Sequence, residues 1–310
     1  MNKNLTKKYD FAETVTSNYA GEAAQGYISE ALLSGTTLAE GNLTVLNNVK
    51  YKTNLRKITV AGTAGNLMAD ATCDFTDSGT VTYADKALEP KDMDVNIQIC
   101  KEDFLATWEG EQMTAGLNGT LPTSFGDYLI AQTAARVSAE IEESIWQGDA
   151  GNNGEFDGFQ KLLLADADVV DVAGVPLDAD VIVAQIGRVQ DAIPNAVFGK
   201  EDLRIFLGTA AWRYYIQSQA TLGYANLYNN NDAFGNLVFN GITLAHAPGL
   251  GANAMVAGQI SNMFFGTDGS RSEVRLLDMA DKDLSDNVRI GMRFTAGVGY
   301  AFGSDMVYYA

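Results

Sequence analysis

The chain has 310 residues, of which 46% are hydrophobic and 19% charged, so core material is ample and the surface must draw on Asn, Ser, Thr and Gly. Against 39 acidic side chains stand 21 basic ones, for a net charge of −18; this excludes a protein built mainly to grip nucleic acid, which needs clustered Lys and Arg. One His and two Cys leave too few ligands for a His-rich metal site or a zinc ribbon.

Residues 1–46 are polar and weakly patterned, with one short helix predicted around Gly26–Leu33. The first ten residues hold no apolar run, which predicts no signal peptide and synthesis in a cytoplasm. Residues 1–60 carry seven basic and five acidic groups, so a mildly basic, core-poor arm is joined to an acidic body. Such an arm suits lying across a neighbouring subunit; a frayed, solvated terminus is the plainer reading.

From Val49 to Cys100 the pattern is β. Lys57–Ala61 and Thr80–Ala84 read as strands rich in β-branched residues, and Val95, Ile97 and Ile99 alternate with Asn96 and Gln98. Turn signals at Gly62, Gly65, Asp77–Gly79 and Pro90 separate them. So few large apolar groups make an excursion rather than a domain, and a long hairpin alone is marginal in water.

Ser124–Gln147 is the clearest helix, with Phe125, Tyr128, Leu129, Ala135, Ile141 and Ile145 at helical spacing and Gly148 as its stop. It would run about 36 Å. Glu140, Glu142 and Glu143 crowd its C-terminal end against the dipole preference, which points to a basic partner outside the chain or, more simply, to a solvated face. Asp178–Ile193 is a second helix closed by Pro194, Leu203–Leu207 a strand, and a third helix runs from Thr209 towards Gly223. Asn240-Gly241 between two apolar pairs is a hairpin signal. Ala233–Thr267 is free of charge but too rich in Asn, Gly, Gln and Pro to cross a membrane. Near the end, Ile290, Met292, Phe294, Ala296, Val298, Tyr300 and Phe302 take every second position, a strand of about 45 Å, and Met306–Tyr309 follows it.

No reaction assembles from these parts. Gly249–Ala254 imitates a dinucleotide-binding turn without the surrounding βαβ unit. Asp149–Gly154 opens like a calcium loop but lacks ligands at its third and twelfth positions. His246 has no nucleophile motif beside it. Cys73 and Cys100 are expected as two buried thiols, a disulfide or a loosely held metal being the alternatives. No catalytic residue, cofactor or metal is expected.

Asp70–Phe75, Leu88–Lys91 with Val95–Phe104, Leu121–Leu129, Ser144–Gly148 followed by Gly154–Gly158, and Val288–Phe294 through Val307–Tyr309 together resemble the major capsid proteins of tailed bacteriophages. The likeness is closest to those of phages infecting Bacteroidetes, including the crAss-like group and its marine relatives. The resemblance implies an α+β fold of the Hong Kong type, with residues 1–46 as N-terminal arm and 50–98 as extended β-hairpin loop. Residues 99–172 and 268–310 would form the peripheral domain, with 124–147 its long spine helix, and 173–267 the axial domain. It further implies self-assembly into hexamers and pentamers of an icosahedral shell in the host cytoplasm. Packaged double-stranded DNA would be contained without sequence recognition and without any membrane. Portal and scaffolding proteins, and decoration proteins in some relatives, would be partners. An encapsulin-like compartment is the alternative. Inter-subunit contacts are expected from Lys3, Lys7, Lys8, Lys50, Lys52, Arg56 and Lys57 on the basic side and Glu140, Glu142 and Glu143 on the acidic side. Some relatives crosslink through a loop lysine; Lys86 and Lys91 lie in that region without a recognisable partner site.

Overall fold

Two sheets organise the computed structural model, which describes residues 17–20, 35–62, 79–100, 125–221, 237–279 and 287–310. The first sheet runs β1 (Ser17–Ala20), β12 (Glu273–Asp278), β13 (Asn287–Tyr300), β11 (Met263–Gly266), β2 (Thr44–Leu46), and β5 (Lys91–Cys100) also pairs with β13. The long alternating run of the sequence is β13. Val288, Ile290, Met292 and Phe294 are buried while Arg289 and Arg293 are exposed, but from Phe294 to Tyr300 every residue is buried. Alternation marks a sheet with one wet face, and its loss marks the place where a second layer covers that face. The cover is the Leu88–Pro90 segment. A Cβ on Gly297 would lie 2.9 Å from the Pro90 Cα, and one on Gly299 3.1 Å from the Leu88 side chain. Close approach of two chain segments is therefore what requires glycine in this half of the strand. In the wet half, Arg289 donates to Gln98 at 2.9 Å and Arg293 meets Asp94 at 2.9 Å, each across its register partner in β5.

The second sheet runs β6 (Val170–Val172), β14 (Val307–Tyr309), β10 (Met255–Gln259), β7 (Leu203–Leu207), β9 (Ile242–His246), β8 (Val238–Phe239). Asn240 and Gly241 take φ of 46° and 87°, the two left-handed residues that a tight hairpin turn of this kind needs. One face of this sheet packs with helices α4 (Ile182–Ala192) and α5 (Thr209–Thr221), where Ile186, Val189, Trp212 and Tyr215 share a core with Ile205 and Leu207. The other face presents Phe206, Val256 and Tyr308 to α2 (Phe125–Gln147) and α3 (Phe159–Ala165). Buried on both faces, its strands read as continuous apolar runs, as Met255-Val256-Ala257 does. Trp146 of α2, with no exposed surface, meets Phe206 at 5.1 Å and Phe159 at 5.5 Å.

Three expectations change. Lys91–Ile99, assigned largely to the extended loop, pairs along β13 from Ala296 to Val288 and so belongs to the chain's own first sheet. Val170–Val172 and Val307–Tyr309, assigned to the peripheral part, pair with each other, and β14 also pairs with β10, so both strands belong to the second sheet. The helix expected from Asp178 begins at Ile182, because the Asp178 carboxylate accepts from the backbone N–H of Asp180 and Val181 at 2.9 Å each and holds a turn ahead of it. The helix expected at Gly26–Leu33 lies outside the described residues, as does Cys73; Cys100 is a half-buried free thiol.

Candidate assembly surface

Strands β3 (Thr53–Gly62) and β4 (Gly79–Leu88) pair antiparallel from Thr53 opposite Leu88 to Gly62 opposite Gly79, forming a two-stranded ribbon of their own. Side chains alternate across it. At its root Leu55 and Leu88 are buried, and Leu88 lies against Gly266 and Gly299 of the first sheet. On the opposite face Ile58 and Tyr83 stand directly across from each other, 54% and 68% exposed, with Val81 48% exposed beside them. One register step towards the root on that face, Arg56 meets Asp85 at 3.3 Å. An apolar, β-branched and aromatic face left open on a narrow ribbon marks an interaction surface more than a scatter of single apolar residues does.

The ribbon leaves the body at Lys86. Its ammonium pairs with Asp166 just after α3 and lies 3.6 Å over the Tyr300 ring, while the Tyr300 hydroxyl donates to the same carboxylate at 2.9 Å and to the Leu162 carbonyl at 3.0 Å. Desolvation and the Asp166 charge push the Tyr300 hydroxyl far above its usual pKa, so it remains a donor. Lys86, the loop lysine noted in the sequence, is thus engaged within its own chain. This ion pair and the buried leucines fasten the ribbon's root, whereas Ile58, Val81 and Tyr83 further out remain open.

The expected contact residues divide. Lys50 is exposed. Lys52 pairs with Glu89 at 3.1 Å and Arg56 with Asp85, both within the chain and largely solvated, where such pairs contribute at most about 1 kcal/mol and exchange partners easily. Lys57 pairs by its backbone with Ala84. Lys3, Lys7 and Lys8 lie outside the described residues. Glu140 is exposed and accepts from Arg136 one turn earlier at 2.9 Å. Glu143 is exposed beside it. Both line a groove of about 610 Å³ between α2 and β5 whose floor includes Met93, Ile141 and Phe156.

Glu142 departs from the solvated face expected for this acidic run. It is 6% exposed, and its carboxylate accepts the backbone N–H of Thr37 at 3.1 Å and the Thr37 hydroxyl. Burial raises its pKa, opposed by these bonds. One signal was present in the sequence: Glu142 lies one turn before Trp146, on the same stripe of the helix.

The chemistry-like motifs resolve into packing. Gly249 touches α2 so closely that a Cβ would fall 2.1 Å from the Glu142 carbonyl oxygen, and its own carbonyl accepts from Gln147 at 2.7 Å. That turn holds a helix, not a pyrophosphate. Gly249→Ala is expected to destabilise by roughly 1–3 kcal/mol, the usual cost of overpacking, as a lowered denaturant midpoint at unchanged slope. In the calcium-like run, Lys161 reaches Asp149 at 2.5 Å and Asp157 at 2.6 Å. Its ammonium sits among the carboxylates and holds the Asp149 carboxyl below its usual pKa. His246 ends β9, its Nε2 3.2 Å from the Thr209 hydroxyl, and burial lowers its pKa. Among the described residues no three His, Cys, Asp or Glu side chains are placed to share a metal ion, and no helix is long and apolar enough to cross a membrane.

No family model and no curated protein matches the sequence. Solved structures do match, at low identity. A chain of the satellite phage P4 procapsid structure, which includes the size determination protein, is 13% identical with a TM-score of 0.56, over 92% of this chain and 98% of that one. The capsid of Myoviridae phage XM1 gives 13% and 0.54 over 89% and 91%. A virus-like particle from Pyrococcus furiosus gives 10% and 0.54 over 93% and 98%. What these likenesses establish is the fold: that of the subunits in phage capsid and virus-like particle structures.

Proposed function

We propose that this chain is the major capsid protein of a tailed bacteriophage, a virion component that associates with itself in hexamers and pentamers to enclose double-stranded DNA. The observation that carries the reading is a shell-subunit fold spanning about nine-tenths of the chain together with a ribbon whose apolar face its own chain leaves open. Heterologous contacts that close into rings are the means by which one chain builds a shell. The acidic-rimmed, apolar-floored groove over α2 has the chemistry to receive the neighbour's ribbon: Ile58, Val81 and Tyr83 for its floor, Lys50 and Arg56 for Glu140 and Glu143. At the expense of weak solvated pairs within the chain, such docking forms partly desolvated ones between chains. The net charge of −18 supports a shell that contains DNA rather than recognising it. Scaffolding and portal proteins, with or without decoration proteins, would act alongside, and this reading calls for no enzymatic activity or cofactor.

The test is the assembly size of the purified protein, alone and co-expressed with its phage's scaffolding protein, by light scattering and negative-stain microscopy. Closed shells are expected, and a protein that stays a monomer or small oligomer in both settings would overturn the reading. Shells filled with a cargo protein instead of DNA would favour a compartment over a virion.

A further inference from the structure

Where the two sheets end in other strands, their edges are short: β1 has four residues, β2 and β6 three each, and β8 two. Strand β5 has ten, and among the described residues it pairs with β13 alone. In an antiparallel pair a residue turns its N–H and C=O to one side and the next residue turns them to the other. Every second residue of β5 therefore directs both groups away from β13. Proteins blunt such an edge by keeping it short or by setting charges or proline along it. The middle of β5 has no such guard. Asp92 and Asp94 are taken up within the sheet by Arg271 and Arg293, and Val95, Ile97 and Ile99 form an apolar row that the core covers only in part.

This edge opens onto the groove beside α2. Asp94, Val95 and Asn96 line it together with Glu140, Glu143 and Glu155. On its other flank α2 carries α1 (Thr36–Ala39), tied to it where the Trp146 indole donates to the Thr37 hydroxyl at 3.0 Å. On the β5 flank no described element of the chain lies in the groove. An extended segment fits such a place, its backbone pairing with the strand edge and its alternate side chains entering the groove. Charge decides among the long strands that could supply it. A second β5 would bring Asp94 and the groove's carboxylates against their own copies, and like charges opposed across a pair are destabilising. Strand β4 brings Asp85, whereas β3 (Thr53–Gly62) carries Arg56 and Lys57 and no acid. The outer edge of β3 is itself unpaired among the described residues. The chain's own ribbon is not laid along β5. Only Glu89 and Pro90 join β4 to β5, yet β4 pairs with β3 and β5 with β13, while Lys86 and Leu88 fasten the root elsewhere.

We infer that β5 is a strand-addition site, along which the outer edge of β3 from a neighbouring copy pairs through residues 56–62. The first sheet then continues across the subunit boundary. Ile58 enters the groove beside α2, and Arg56 of the neighbour faces Glu140 and Glu143. This inference rests on the capsid reading and adds to it the backbone contact that holds the ribbon. Apolar contact alone selects a face of the ribbon, whereas a ladder of backbone bonds also fixes its register, since a slip by one residue turns the opposite face inward.

The test is electron cryomicroscopy of shells assembled from the full chain, with proline variants of the β5 edge beside it. The neighbour's β3 is expected alongside β5 at the usual strand spacing of about 4.8 Å. Shells in which that edge faces solvent, or is covered by β4, by a second β5 or by another segment of its own chain, overturn the inference and leave the capsid reading standing. Failure to form shells in any setting overturns the capsid reading instead. Of Val95 and Asn96, one N–H points to β13 and the other away from it. Proline is tolerated in an edge strand only where the N–H faces outward, so circular dichroism of Val95→Pro and Asn96→Pro identifies the outward position as the variant that stays folded. That variant is expected to lose shell formation, read by light scattering, because it removes a donor and adds a ring where the neighbour's strand would lie. A folded proline variant that builds normal shells overturns the inference, and the shell structure decides it even if neither variant folds.

Discussion

Exchanging Ile58 for lysine and Tyr83 for glutamate together is expected to leave the subunit folded and to abolish shell formation. The two residues are 54% and 68% exposed and directly opposed in the ribbon. An opposite-charge pair across an antiparallel step supports the ribbon where two like charges would strain it. The isolated subunit should therefore change by no more than about 1 kcal/mol. Between subunits the balance is different. Full burial of an isoleucine or tyrosine side chain contributes about 1.5–3 kcal/mol, and a charged pair taken into an apolar contact loses that gain and adds a desolvation cost. The loss recurs at every interface of a closed shell. Light scattering should show subunits or small rings in place of particles, with unaltered circular dichroism; normal particles would show that the ribbon's open face is not the contact.

Trp146→Ala is expected to be the most damaging single change to the subunit itself. The indole has no exposed surface, stacks at a tilt on Phe159 and Phe206, and donates to Thr37. Replacing a fully buried large aromatic with alanine costs about 3–5 kcal/mol, a large share of the roughly 5–15 kcal/mol that holds a domain together. Here the change also removes one of the groups that order Thr37 above Glu142. A denaturant midpoint lowered by that equivalent at unchanged slope is the expected result. Trp146→Phe should lose less, because the ring contacts partly survive and only the donor is removed. A loss under about 1 kcal/mol for the alanine variant would mean that the α2–β7 contact is not the keystone its geometry indicates.

How far the fold could be read from the chain depended on whether the deciding interaction was local. Helix α2 was legible to within one residue because its apolar spacing is repeated over six turns, and the Asn240-Gly241 turn because its dihedrals are a property of those two residues. β13 was legible as a strand, but its change from one wet face to two dry ones was not, since Gly291 in the wet half reads no differently in the sequence from Gly297 and Gly299. Partners were not legible. Val95, Ile97 and Ile99 announce a half-buried strand, but nothing in that alternation states that it lies along β13 rather than across a neighbour. The three-residue strands β2, β6 and β14 carry too few positions for a period and exist because neighbouring strands receive them. At the proposed surface, the sequence placed the ribbon and the acidic helix end but could not tell Glu140 and Glu143, which face outward, from Glu142, which is turned in by a threonine more than a hundred residues away in the chain.

The strand β14 has a bearing on when the subunit becomes usable. It lies between β6 and β10 with Val307 and Tyr309 almost without exposed surface. The Tyr309 hydroxyl bonds the backbone of Val175 and the side chain of Gln185, and the Ala310 carbonyl receives Gly174. While the exit tunnel still covers those residues, the second sheet lacks an inner strand and cannot close. A chain cut short by a premature stop would be left with the same gap. A polypeptide without β14 thus presents an unclosed body to its neighbours.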